Sequence, residues 1–206
     1  MTRKEEIVLA TLDLAAEHGL RSVSLAQIAE RVGMRKPSLY NHFSSKDEIV
    51  QEAYRHLREQ ARARSTMPSI DFDLLFADRS LEEILLALFE QYLSLVMDRD
   101  LLRLFKVLYS ERPTNAAAAR IVLDETDRMV RQVGALFHAL ADRGRLRCDD
   151  LDLAALSYAM TIHGLVDRAL DELCVRGPEA AETPPALADA KAYIRWFARQ
   201  MEASHA

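Results

Sequence analysis

The 206-residue sequence predicts an all-α protein, on three observations. Its apolar residues are dominated by Leu and Ala, while clusters of strand-favouring Val, Ile and Thr are nearly absent. Glycine and proline number only six each beside 50% hydrophobic residues, which disfavours disorder, collagen and β-rich folds. Apolar side chains also recur at helical spacing, between residues that read as helix caps and stops.

A first helix is expected over about Thr2–Glu17, burying Ile7, Ala10, Leu14 and Ala15, with His18-Gly19 ending it. Leu20 and Val23 bridge into a second, short helix. Ser24 and Gln27 open that helix at capping-box spacing, which satisfies its first free amides. Ile28, Ala29 and Val32 share one of its faces. Gly33 comes immediately after, and a glycine there permits the left-handed backbone that stops a helix. Lys36-Pro37 then opens a third helix, about Pro37–Phe43, because proline's missing N–H has no intrahelical partner in a first turn. Leu39 and Phe43 turn inward at i and i+4, and Lys36, Ser38, Tyr40, Asn41 and His42 occupy the other faces. From Arg31 to Lys46 there are four Arg or Lys and no Asp or Glu. Helix, glycine turn and short basic helix together form the arrangement of a helix-turn-helix that reads DNA. The first three helices make a compact bundle that holds the reader steady.

A fourth helix begins at Ser45, whose spacing to Glu48 is a second capping box, and runs to about Arg64. Ile49, Ala53 and Leu57 line one face, with Val50 and Tyr54 alongside. At about 1.5 Å per residue it is long enough to connect the bundle to the remainder of the chain. A loop is expected over Ser65–Ser80. Five more helices come after it, near 80–97, 100–110, 115–142, 151–175 and 186–203, with a loop at Gly177–Pro185. Asp149 or Asp150 caps the fourth of these. That helix is apolar nearly all round from Leu153 to Leu170, so it must be buried on several sides, by its own domain or by a second chain. The domains read as 1–46, a helix-turn-helix; 47–64, a connecting helix; and 65–206, a helical effector-binding and dimerisation domain.

Charge is divided unevenly along the chain, whose net charge is −5. Residues 1–64 hold 11 Arg and Lys against 9 Asp and Glu, and residues 65–206 hold 16 against 23. A basic start and an acidic remainder suggest that one end meets nucleic acid and the other does not. Cys148 and Cys174 lack metal-ligand spacing and read as free thiols in a reducing cytoplasm. The charged start has no apolar stretch of a signal peptide, and no run is long enough to span a membrane, so a cytoplasmic protein without membrane contact is expected. No His-Glu-x-x-His, glycine-rich phosphate loop or Gly-x-Ser-x-Gly is present, so neither catalytic residues, metal nor cofactor are expected.

The segment AQIAERVGMRKPSLYNHFSSKDEIV resembles the DNA-binding segment of the tetracycline-repressor (TetR) family, densely over about residues 4–52. The rest of the chain matches only as a layout of helices. The resemblance implies a homodimer on a palindromic operator, with a small-molecule effector in the second domain weakening its grip. It implies phosphate contacts from Ser24, Tyr40, His42 and Lys46, and base-edge contacts from Gln27, Lys36, Ser38 and Asn41, with Pro37 against a thymine methyl. One departure is Ala26, where many relatives carry a longer polar side chain. Base contact from that helix then rests on Gln27, which also has a capping role. With no Asp or Glu from Arg31 to Lys46, Arg31, Arg35 and Lys36 read as a basic face turned to DNA.

In the second domain Phe89, Tyr92, Phe105, Met129, Phe137, Met160 and His163 sit on apolar faces and are the candidate effector-lining residues, although the same types fill ordinary cores. His163 stands out, because a buried imidazole needs a hydrogen-bond partner in the protein or in a ligand. His138 is a similar case. Dimerisation is expected through the helices near 151–175 and 186–203, paired as a four-helix interface. A ligand-responsive repressor is the leading reading. The same fold used as a nucleoid or cell-division factor with a protein partner is the alternative, and a helical enzyme or ligand binder is a distant third.

Overall fold

The computed structural model describes residues 2–64, 79–176 and 183–202; most of the loops expected at 65–80 and 177–185 lie outside the described residues. Among these residues there are nine helices: α1 (Arg3–His18), α2 (Leu25–Arg31), α3 (Lys36–Leu39), α4 (Lys46–Arg64), α5 (Leu81–Val96), α6 (Arg99–Glu111), α7 (Ala116–Asp142), α8 (Leu151–Arg176) and α9 (Pro185–Met201). A single 3₁₀ turn, Leu20–Ser22, joins α1 to α2. The described residues divide into two compact units, one holding 2–64 with 95–125 and the other 79–94 with 126–202. No described helix is long and apolar enough to cross a membrane.

In the first unit, α1 starts from a reciprocal box. The Thr2 hydroxyl accepts from the Glu5 amide at 3.2 Å, and the Glu5 carboxylate accepts from the Thr2 amide at 2.7 Å. Ile7, Leu14, Ile28, Leu39, Phe43, Ile49 and Leu57 then bury one shared core. The bundle is larger than three helices, because Leu101, Val107 and Leu108 of α6 and Ile121 of α7 join the same core. Helices as short as α2 and α3 cannot enclose apolar volume alone, and each buried aliphatic side chain contributes about 1.5–3 kcal/mol. Asp98 caps α6 through the Leu101 amide at 3.0 Å.

The second unit is built on the pairing of α8 with α9. Small residues, Ala154, Ala155, Ala159 and Ala169 of α8 with Ala186, Ala190 and Ala198 of α9, are buried and suit close helix approach. Phe137 of α7, Tyr158 of α8 and Phe197 of α9 fill its centre, with ring centroids 5.0–5.5 Å apart. Burial raises the Tyr158 hydroxyl pKa well above its ordinary value, and Tyr193 adds to the effect. Of the two residues expected to cap α8, Asp150 does so, accepting from the Leu153 amide at 2.9 Å, and at the start of α5 Glu83 closes a box with Ser80. Gly144 stops α7 with φ of 66°, and Arg147 then pairs its amide with the Met201 carbonyl at 2.8 Å.

Candidate nucleic-acid interface

The reading segment is set by three local devices. At the start of α2, the Gln27 amide donates to the Ser24 hydroxyl at 3.3 Å, and both the Ser24 amide and hydroxyl donate to Gln27 Oε1 at 2.8 Å. At its end, Gly33 takes φ of 65°; the Gly33 amide reaches the Glu30 carbonyl at 3.1 Å and the Met34 amide reaches the Ala29 carbonyl at 2.8 Å. This is the paired bonding of a Schellman stop, and a Cβ at Gly33 would meet nothing within 4 Å, so the demand is on φ and not on space. Arg35 then adopts extended backbone and α3 begins, with Pro37 in its first turn.

The third helix is shorter than its expected span of Pro37–Phe43. It is α-helical only over Lys36–Leu39 and continues as tight turns, with the Tyr40, Asn41 and His42 amides bonding three residues back. The Phe43 amide closes on the Leu39 carbonyl at 3.0 Å. Ser38, Asn41 and His42 are weak helix formers, which favours this tightening. The two anchors behave as expected: Leu39 is 1% exposed and Phe43 4%. Lys4 of α1 lies over the Phe43 ring, 5.2 Å from its centroid, and adds a cation–π contact behind the segment.

On the outside, Lys36, Pro37, Tyr40 and Asn41 are exposed, Tyr40 by 53%, while Ser38 and His42 are half-buried. Ser24 is exposed and Gln27 half-buried beside it. Gln27 Oε1 is occupied by Ser24, so its amide NH₂ is the end with donors to offer. Lys46 Nζ donates to the Arg21 carbonyl at 3.3 Å, which draws Arg21, a residue not singled out from sequence, to the same edge.

Two expectations need correction. Arg31 is not part of an unopposed basic face: it donates to Glu17 at 2.9 and 3.2 Å, from a residue fourteen positions earlier. The box at the start of α4 is split. Ser45 accepts from the Glu48 amide at 3.1 Å, but Glu48 reaches back to the Ser44 amide and hydroxyl at 2.6 and 2.7 Å. Those Ser44 bonds hold the Glu48 carboxyl pKa below its ordinary value. Among the sequence signals passed over was the Thr-x-x-Glu spacing at Thr2.

The candidate effector residues are divided between the two units. Phe105 belongs to the first unit and packs on the core that supports the reader. Phe89 and Phe137 are buried in the second unit, Met129 is half-buried, and Met160 is 44% exposed on the outer face of α8. Tyr92 and His163 meet, with Oη 3.3 Å from Nδ1, and His163 Nε2 lies 3.6 Å from the Asp167 carboxylate. The partners demanded by the imidazole are therefore present in the chain. His138 pairs with Asp152 at 3.0 Å on the surface.

The family model for bacterial regulatory proteins of the tetR family matches residues 7–53, and that for the C-terminal domain of AefR-like transcriptional repressors matches residues 83–197. A curated relative, the HTH-type transcriptional repressor KstR2 of Mycobacterium tuberculosis, is 36% identical over 63 residues, covering 31% of this chain and 32% of that protein. The match thus spans about a third of the curated relative. A crystal structure described as a TetR-family transcriptional regulator from Mesorhizobium loti superimposes with a TM-score of 0.66 at 21% identity, covering 98% of this chain and 100% of that one. A transcriptional regulator from Saccharomonospora viridis, solved with choline, gives 0.64 at 20% identity over 97% of each chain. At such identities the two structures show the fold alone.

Proposed function

The chain belongs to the tetR family of bacterial regulatory proteins, DNA-binding regulators that are not enzymes, and from that premise we propose a ligand-responsive repressor that grips a palindromic operator as a homodimer. The observation that carries this is the two-sided reading segment: Leu39 and Phe43 bolt it to the core, and Lys36, Pro37, Tyr40 and Asn41 face out. Lys36, Ser38, Asn41 and the Gln27 NH₂ meet base edges in the major groove, and Pro37 meets a thymine methyl. Ser24, Tyr40, His42 and Lys46 hold phosphates and set the register. The two readers lie about one turn of DNA apart, roughly 34–36 Å.

The second copy docks on the outer face of α8 and α9. Leu153, Leu156 and Met160 fall at i, i+3 and i+7 on that face, and Trp196 is exposed on α9. An apolar helix pair of this kind is self-complementary about a two-fold axis. The effector acts in the second unit by preferring the form with the wrong reader spacing, an effect typically worth about 1–3 kcal/mol. Relatives described as regulators do not favour a nucleoid or cell-division role. The test is enrichment of duplex DNA from a random pool on the full chain. A palindrome bound more weakly as salt rises is the expected result, and failure to enrich any duplex refutes the reading.

A further inference from the structure

Tyr54 of α4 is 6% exposed, and its Oη accepts from Asn115 Nδ2 at 3.1 Å. Asn115 lies between α6 and α7 and serves both. Its amide donates to the Glu111 carbonyl at 2.9 Å, and its Oδ1 caps α7 by accepting from the Ala117 and Ala118 amides at 2.9 and 3.4 Å. One side chain therefore grips the start of α7 with its oxygen and α4 with its nitrogen. Ser or Asp would cap the helix as well, so capping alone does not require the carboxamide. Glu111, 8% exposed, sits at the same corner. Burial, with the Glu111 charge adding to it, pushes the Tyr54 hydroxyl pKa up to about 12 and keeps it protonated.

The placement of these two helices gives the contact its meaning. α4 comes after the reading segment with only Ser44 and Ser45 between, so the angle of α4 sets the direction in which that segment points. α7 is continuous from Ala116 to Asp142, and its residues beyond Glu125 belong to the second unit. We infer that Tyr54 and Asn115 are positioning residues for DNA reading: their hydrogen bond fixes α4 to the start of α7 and so holds the direction of the reading segment. This rests on the DNA-reading function proposed above, and deepens it by naming a residue pair that orients the reader.

The experiment uses the full chain with Tyr54→Phe, Asn115→Ser and both together. Phe keeps the buried ring, and Ser keeps the α7 cap while being too short to reach Tyr54. Affinity is measured well below the unfolding transition for the duplex enriched by the wild-type chain. Each variant should bind about three- to tenfold more weakly, the scale of one lost hydrogen bond, and the double variant no worse than either single one. A purely structural role would lower the unfolding temperature and leave this affinity within about twofold of wild type; that result, or losses that multiply in the double variant, overturns the inference. If the wild-type chain enriches no duplex, the DNA-reading premise fails first. Hydrogen exchange of the α4 amides then decides the clamp: equally faster exchange in both single variants supports it, and unchanged exchange overturns it.

Discussion

Arg31 and Glu17 form a two-pronged ion pair at 2.9 and 3.2 Å that ties the end of α2 to the end of α1. A cation already matched in this way has less to offer a phosphate than Lys36, for which no ion pair is present among the described residues. Lys36→Ala should reduce the slope of log affinity against log salt by about one, and Arg31→Ala should leave that slope close to wild type. Titration of an enriched duplex across a range of salt reads both.

Gln27 has a structural and a reading role, and one substitution separates them. Gln27→Glu retains an acceptor for the Ser24 amide and hydroxyl but removes the NH₂ donors and adds a negative charge. Thermal unfolding should stay near wild type, because Glu serves this capping position as well as Gln. Affinity for the enriched duplex should fall about tenfold or more, the scale of a lost base contact.

Leu39 and Tyr40 are sequence neighbours with opposite duties. Leu39→Ala empties a fully buried site and should cost about 2–5 kcal/mol of stability, read by denaturant unfolding. Tyr40→Ala should change stability little, because the ring is mostly exposed, and should weaken DNA binding instead. Equal effects of the two variants on unfolding would contradict the assigned faces.

Leu156 and Met160 are 45% and 44% exposed on one face of α8. Replacing both by Glu places charges in the proposed two-fold interface and should shift the chain from dimer to monomer in sedimentation experiments. Helix content should persist, since neither side chain is in the core. DNA affinity should drop with loss of the second reader.

Tyr54 predicts a specific alkaline response. Its hydroxyl titrates near 10 when unfolded and near 12 when folded. The unfolded chain therefore releases the proton first as pH rises, and stability is fully present below pH 10 and lost progressively between about 10 and 12. The loss amounts to at most about 3 kcal/mol from this group, two pKa units at about 1.4 kcal/mol each. Denaturant unfolding of Tyr54→Phe should show a shallower decline over that window than wild type.

The parts of the site that were legible in sequence are those governed by near neighbours. The Ser24–Gln27 box, the Gly33 stop and the inward pair Leu39 and Phe43 depend on residues within a few positions, where backbone geometry leaves little choice. The split box at Ser44, Ser45 and Glu48 marks the limit of that kind of reading. A Glu side chain can reach either of two adjacent amides, and spacing alone does not rank them. The shortened α3 has the same origin, because a tight turn and an α-turn share one residue pattern.

Helical class, element order and the inward and outward faces of the reader were thus determined by the sequence itself, through capping, periodicity and the φ demanded of one glycine. Tertiary structure alone decided which charges remain unmatched and which helices share a core. Arg31 finds its carboxylate fourteen positions away and Tyr54 its amide sixty-one away. Likewise Phe105 packs on the core beneath the reader, a placement its helical spacing does not give. The physical reason is range: a turn or cap is closed by bonds within one turn of chain, whereas burial and ion pairing are settled only when distant helices meet.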